Sequence, residues 1–434
     1  MDDMIKTYGF ETPDYVSKED FENFKKSYEV VLERRCARWQ SVIDQGNLTR
    51  SYLLKRFCRK GIPAQFRPHV WMTLSGAYEM IKQHPHVYET ASTSQPPKKV
   101  LTTIMADIPR TFPENAHFSQ AQSKGDLLPV LQRILIAFAV TFPKIGYCQG
   151  LNYVAATILL AMQGVPEIEA EAEERTFWLL HALTHNIIPN YYSDHMIDVR
   201  VDCLVFEELL KNKVPSVHKT LKKADVDCIV LATKWFICLF ADVLPIETVL
   251  RIFDSLFYEG DKILFRACIA LTKLHTKEIL YCQQFPDVVL TFRDITQDKQ
   301  TLYCHEFLKA MFKLPGSLPR SLIRKLRAKC LVQVKATLED LEAQKRDYCE
   351  RMTKQQEEIH HRGNQQALTN DEDDTKNPDK DVDEDSYSEE FDDNSDEENS
   401  DQMLKSPRQK DPADDIESSP SLNIITANHD NGTL

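Results

Sequence analysis

The stretch Asp126-Leu-Leu-Pro-Val-Leu-Gln-Arg-Ile-Leu-Ile-Ala-Phe-Ala-Val-Thr-Phe-Pro-Lys-Ile-Gly-Tyr-Cys-Gln-Gly-Leu-Asn-Tyr-Val-Ala-Ala-Thr-Ile-Leu-Leu-Ala-Met-Gln163 decides the fold class. Residues 126–141 read as a strongly apolar helix. Pro143 and Gly146 break it, and a second helix starts near Gly150 and runs to Gln163. The longest apolar runs of the chain, Ile134–Phe142 and Val154–Met162, fall inside these helices. Both are far short of the roughly 18 residues of a membrane span, so they read as buried helices, and no direct membrane insertion is expected. Between them sits a short turn, Gly146-Tyr147-Cys148-Gln149-Gly150.

The same helical reading extends outward in both directions. Over residues 18–44, Phe21, Phe24, Tyr28, Val31 and Leu32 recur at helical spacing, with Ser17 or Asp20 at the start. Gly61-Ile-Pro63 marks a turn, and a helix follows with Val70, Trp71, Leu74 and Ala77 on one face. Gln83–Lys99 is polar and proline-bearing and reads as a loop. Further helices are expected at Glu171–His185, Arg200–Lys211, Ile229–Phe240, Pro245–Tyr258 and Ile263–Thr276. Strict apolar/polar alternation is rare and only 12 of 434 residues are glycine. The expected fold class is all-α, built of many medium helices.

The domain organisation follows from composition. Residues 1–50 form an N-terminal helical segment and residues 51–320 the main domain. Residues 321–363 are rich in Lys, Glu, Gln and Arg, with Ile323, Leu326, Leu331, Val334, Leu338 and Leu341 recurring. They read as a charged amphipathic helix that packs on the domain or pairs with another chain. Residues 364–434 read as a disordered acidic tail. Between Asp371 and Asp401, 17 acidic residues face two lysines. That stretch holds the whole excess of the net charge of −13 and leaves residues 1–370 near neutral, without the bulk charge of a nucleic-acid binder. Eleven cysteines without a C-x-x-C spacing fit free thiols in a reducing cytosol.

Two short loops carry the candidate chemistry. Ile104-Met-Ala-Asp107-Ile-Pro-Arg110 offers an arginine stiffened by Pro109 and Pro113, with Asp107 placed to orient it. The turn Gly146–Gly150 offers Gln149, with Tyr147 able to pack beneath and fix it. Its flanking glycines permit close backbone approach by a ligand or partner. A cation for developing phosphoryl charge and an amide to hold water are what fast GTP hydrolysis needs. Taken singly, each segment also fits a blander reading, a surface Asp–Arg pair or an idle loop amide. Cys148 has no adjacent base and reads as a structural thiol. His181 and His185, at i and i+4, read as a helix face beside Trp178, without a third metal ligand. There is no Walker A loop, G-x-G-x-x-G or G-x-S-x-G motif, so independent nucleotide binding is not expected.

The ordered set of motifs is more specific than any member. Gly61-Ile-Pro-Ala-Gln-Phe-Arg67-Pro-His-Val-Trp71 resembles the opening motif of TBC domains, the Rab GTPase-activating fold. Ile104-x-x-Asp107-x-x-Arg110-Thr-x-Pro113 resembles that family's arginine-finger motif, and Gly146-Tyr147-Cys-Gln149-Gly150-Leu-Asn152-Tyr its glutamine-finger motif. Trp235-Phe236, Leu244-Pro245, Arg251-Ile-Phe253-Asp254 through Gly260, and Phe265-Arg266 resemble later blocks in the same order. Phe253 departs from the usual tryptophan and reads as an aromatic core swap. The resemblance implies a two-lobed all-helical domain without a cofactor of its own. It implies a GTP-loaded Rab as partner, which brings the GTP and Mg²⁺, with Arg110 and Gln149 entering its nucleotide site. It implies an activator of another enzyme rather than an enzyme with its own turnover, in the cytoplasm and on endomembranes through the Rab. Within it, Arg67 and Trp71 are expected to be structural, the guanidinium bonded to a neighbouring loop. Asp107 supports Arg110, and Asn152 either bonds within the finger loop or meets the Rab.

Two competing readings remain at this level: a Rab-binding adaptor with little catalysis, and a hydrolase using Cys148 with a distant histidine. For the tail, Ser386, Ser395, Ser406 and Ser419 lie in acidic or proline-directed contexts and are candidate phosphorylation sites.

Overall fold

The computed structural model describes residues 8–119, 126–163, 171–193 and 195–371, with side chains to residue 356. The regular elements among them are helical. In chain order they are α1 (Lys18–Asp44), α2 (Tyr52–Lys60), α3 (Arg67–Ser75), α4 (Ala77–Gln83), α5 (Val87–Ser92), α6 (Lys98–Asp107), α7 (Leu128–Thr141), α8 (Leu151–Met162), α9 (Ala172–Ala182) and α10 (Ile197–Lys213). There follow α11 (Pro215–Lys223), α12 (Cys228–Ile237), α13 (Ile246–Glu259), α14 (Lys262–Leu274), α15 (Thr276–Tyr281), α16 (Phe285–Asp294), α17 (Lys299–Leu302), α18 (Cys304–Lys313) and α19 (Arg320–Asp371). Chain contacts divide the molecule into Met1–Lys354 and Gln355–Leu434. Residues 364–371 of the expected tail continue the helix α19 rather than being disordered, and the rest of the acidic tail, with its four candidate serines, lies outside the described residues.

Helix starts follow the local chemistry. The Ser17 hydroxyl accepts the Asp20 amide at 3.1 Å and caps α1, which buries Phe24, Tyr28, Leu32 and Trp39 at helical spacing. In α8 every residue except Tyr153 is buried. That helix and α7 pack against each other and against α9, so the apolar stretch that set the fold class lies in the core. A second group is built on α10, which packs on α11, α12 and α14. Between the groups lies α13, in contact with α2, α3 and α8 on one side and α14 and α18 on the other. The all-α class expected from the sequence holds among the described residues. Every residue of α13 from Thr248 to Glu259 is buried, charged ones included.

Four local expectations are corrected. The polar stretch Gln83–Lys99 holds α5 and the first residues of α6 rather than a loop. Here burial of Tyr88 and Ala91, and a bond from the Tyr88 hydroxyl to Glu173, outweigh a polar composition. The helix expected through Ala77 breaks at Gly76, which takes φ +80° and starts α4. Arg110 sits not in a loop but on a single 3-10 turn, Ile108–Arg110, that directly continues α6. The helix expected to reach His185 passes into a π-helical turn over Leu183–Ile187.

Of the two readings of the charged helix, packing holds for the first turns of α19. Ile323, Cys330 and Val334 are buried there. Arg327 binds Asp202 through two hydrogen bonds of 2.6 Å and also pairs with Asp261.

Candidate functional site

Asp107 is the node of the site. It is the last residue of α6 and is fully buried. Its Oδ1 accepts the Arg110 guanidinium, through Nε at 2.8 Å and through Nη2. Its Oδ2 accepts the Tyr147 hydroxyl at 2.6 Å. One carboxylate therefore holds the arginine turn and the Gln149 turn together, across 40 residues of sequence. Burial, then the hydrogen bond to Asp107 and its charge, push the Tyr147 phenol well above its ordinary value, so Tyr147 stays a donor. The Arg110 side chain keeps 42% of its surface open while tethered. A guanidinium presented in this way is oriented at little further entropic cost.

A second set of bonds joins the same turns from beneath. The Asn152 side-chain amide donates to Thr111 Oγ1 at 2.8 Å, and its oxygen accepts the Gly150 amide at 3.0 Å. Thr111 donates to the Asp107 carbonyl at 2.8 Å. Asn152 is fully buried, and its side chain is spent on Thr111 and on the Gln149 turn. The Tyr153 hydroxyl donates to the Arg110 carbonyl at 3.0 Å. Thr111 and Tyr153 escaped the sequence reading as site residues, although both stand in the quoted motifs.

Gln149 is exposed at the crest of its turn. Gly150 takes φ +108°, and a Cβ there would meet Ile237 at 3.3 Å and Cys238 at 3.4 Å. Its glycine therefore serves close packing of α12 against the turn, not approach by a partner. Gly146 takes φ +59°, and a Cβ there would make only an ordinary contact with the Pro143 carbonyl at 3.7 Å, so it is the turn geometry that favours glycine.

Arg67 and Trp71 belong to a separate, closed cluster. The Arg67 guanidinium spans Glu247 with bonds of 2.8 and 3.1 Å, reaches Asp254 at 3.2 Å and donates to the Tyr8 hydroxyl at 2.8 Å. The Trp71 indole donates to Asp254 at 2.9 Å, and the Ile62 amide to its other oxygen at 2.8 Å. Both side chains are buried and spend their donors inside the protein. Apart from the Tyr8 hydroxyl, which lies in the segment before α1, their partners are carboxylates of α13. Phe253 is fully buried, 6.0 Å ring to ring from Trp71.

The cysteine reading loses its footing here. Burial, then the charge of Asp107, push the Cys148 thiol up to about 11, the reverse of an activated nucleophile. Its nearest polar contacts are the Gln149 carbonyl and the Met196 sulfur. His181 stacks on Phe142 at 4.2 Å and lies edge-on to Trp178, an aromatic packing role. Among the described residues no group of three or more His, Cys, Asp or Glu could hold a metal, and no helix is long and apolar enough to cross a membrane.

Residues 64–280 match the model of the Rab-GTPase-TBC domain. The chain is 38% identical over 336 residues to growth hormone-regulated TBC protein 1 of Homo sapiens, covering 76% of this chain and 96% of that one. This protein belongs to the TBC-domain family. A second relative, growth hormone-regulated TBC protein 6 of Caenorhabditis elegans, is 36% identical over 314 residues, 72% of this chain and 86% of its own. The Chlamydomonas flagellar RabGAP TBC domain superposes with a TM-score of 0.61 at 30% identity, covering 72% of this chain and 99% of that one. The Ypt/Rab-GAP domain of Gyp1p shares the fold, with a TM-score of 0.53 at 18% identity, covering 70% and 99%. All the candidate site residues lie inside the segment matched to the TBC domain.

Proposed function

We propose that this TBC protein accelerates GTP hydrolysis by a Rab-family GTPase, with Arg110 and Gln149 entering the partner's nucleotide site. Arg110 neutralises charge developing on the transferring phosphoryl group, and Gln149 orients the attacking water. The GTPase brings the GTP, the Mg²⁺ and the phosphate-binding loop. Residence on endomembranes follows from the Rab partner.

The observation that carries this reading is the shared carboxylate. Asp107 binds both the Arg110 guanidinium and Tyr147 of the Gln149 turn, so the two turns form one preorganised unit with both tips open. Electrostatic catalysis requires this kind of fixed donor, aimed before the charge develops. An adaptor that merely bound the GTPase would have no use for both side chains on a rigid frame.

The test is single-turnover GTP hydrolysis across a panel of GTP-loaded Rabs. Acceleration of one or a few Rabs that collapses in Arg110→Ala and in Gln149→Ala establishes the mechanism and names the substrate. A folded protein that binds GTP-form Rab without accelerating any member establishes the adaptor role instead.

A further inference from the structure

A cleft of about 480 Å³ opens beside the arginine turn. Its walls come from the segment before α1, the start of α1, the residues after Arg110, and the turn between α12 and α13. Phe10, Phe21, Phe24 and Phe112 give it an aromatic floor, with Phe10 and Phe112 edge to face at 5.2 Å. Glu11, Asp14, Glu114 and Asp242 give it acidic walls. None of the described residues lining it is Lys, Arg or His.

Carboxylates on a surface are ordinarily just solvated, and Glu11, Asp14 and Glu114 alone would carry no argument. Asp242 is different. Its side chain is only 6% exposed, and one oxygen pairs with Lys234 at 2.8 Å. The other oxygen, Oδ1, is buried and has no well-formed hydrogen bond, with only the Cys238 thiol near the carboxylate. A buried carboxylate oxygen left unmet is costly, and a native structure that keeps one calls for an explanation. The backbone around it is strained as well. Leu239 and Phe240, just before Asp242, take φ of +50° and +67°, and Phe112 on the facing wall takes +48°. Bulky residues hold such angles only where the surroundings impose them, and they gather at binding sites.

An aromatic floor with carboxylate walls suits one chemistry: a cationic group on an apolar stem. Lysine and arginine lay their methylenes on aromatic faces and turn the charged head to a carboxylate. The cleft is also continuous with the arginine turn. Phe112 stands two residues from Arg110 and packs edge-on to Tyr153 at 5.3 Å, and the Tyr153 hydroxyl holds the Arg110 carbonyl. A protein surface that brings a nucleotide to Arg110 therefore comes close to this cleft.

We propose that the cleft is a second docking subsite for the GTPase, taking a lysine or arginine side chain of that partner, with Asp242 and the free Glu11 and Glu114 as its acceptors. This rests on the GTPase reading above. The subsite sets which GTPase is chosen and how fast it docks, and Arg110 and Gln149 set the chemistry.

The experiment uses the full chain and the Rab most accelerated in the panel. Glu11→Lys and Glu114→Lys are exposed and have no partners among the described residues, so they leave the fold intact. The double variant is expected to raise the half-saturation concentration about tenfold and to flatten its salt dependence, with most of the limiting rate kept. Asp242→Asn is expected to act in the same direction. A Lys→Glu or Arg→Glu variant of the Rab that loses half-saturation with the wild-type chain and recovers it with the double variant fixes the contact. An unaltered half-saturation in all three substitutions overturns the subsite. If no Rab is accelerated even by the wild-type chain, the GTPase-activating reading has failed, and direct titration with GTP-form Rab then judges the cleft: weaker binding by the double variant sustains it, and equal binding overturns it.

Discussion

Arg67 and Arg110 are both motif arginines, and both are bound to an aspartate, yet they do opposite work. Arg67 is 1% exposed and satisfied by two carboxylates and a tyrosine hydroxyl. Arg110 leans on one carboxylate with 42% of its side chain open. Burial opposes the charge on Arg67, but Glu247, Tyr8 and Asp254 together hold its proton more firmly than usual. Nothing is left over for a partner. Arg110 is held in place by the same kind of bond and still has donors to give. What separates a structural arginine from an available one is how completely its donors are used, not the residue or its first partner.

The comparison is broken most sharply by the two alanine substitutions measured side by side. Arg110→Ala is expected to lower accelerated hydrolysis by about 10³-fold or more, with a smaller loss of stability than Arg67→Ala, since buried Asp107 loses its ion pair but keeps the Tyr147 hydroxyl. Arg67→Ala is expected to cost about 3–5 kcal/mol of stability, because buried Asp254 and half-buried Glu247 lose the guanidinium they share and keep only the Trp71, Ile62 and Tyr28 donors. Denaturant unfolding checks the second. If Arg67→Ala unfolds no more easily than the parent, the closed cluster is not what holds α3 to α13.

Asp107 sharpens the contrast, because it is as buried as Asp254 but serves the open arginine. Asp107→Asn is expected to reduce single-turnover hydrolysis about 10²-fold, by releasing Arg110 and the Tyr147 turn together. Tyr147→Phe removes only one of its bonds and is expected to cost about 1 kcal/mol of stability and a smaller share of activity. Equal activity losses in these two variants would place the defect in Tyr147 itself rather than in the shared carboxylate.

The smallest expected effect concerns pH. Burial, then the charges of His185 and His84, lower His181 to about 4. Between an unfolded value of about 6.5 and that folded value, the unfolded chain binds a proton that the folded chain refuses. Stability contributed by neutral His181 is therefore present above about pH 6.5 and declines as pH falls towards 4. Thermal melts across that window are expected to show a shallower slope in His181→Gln. This destabilisation acts on the aromatic packing under Phe142 and not on Arg67 or Arg110, so it tests whether the two arginine sites are independent of it.

Much of this was legible in the sequence because it was local. The 3.6-residue recurrence of Phe24, Tyr28 and Leu32 and the Ser17 cap gave α1 its limits, and proline and glycine marked the end of α7. The types and order of Arg110 and Gln149 within their motifs marked the candidate site. Helix α5 was hidden because its six residues carry no periodic signal, and burial of Tyr88 against distant elements stabilises it instead. The partners of Arg67 were hidden for the same reason, lying some 180 residues away on α13.

The sequence by itself determined the helical class, the identity of the two exposed side chains and the acidic character of the tail, since each depends on spacing or composition along the chain. Only the tertiary structure decided that Asp107 serves both turns at once, that Gly150 makes room for α12, that Asn152 faces inward, and that Asp242 keeps an unmet oxygen beside Phe112. Each of these is a matter of which groups meet across long loops, and burial then decides which charges are spent and which remain free. A one-dimensional pattern does not encode that balance, because the desolvation that sets it exists only once the helices have packed.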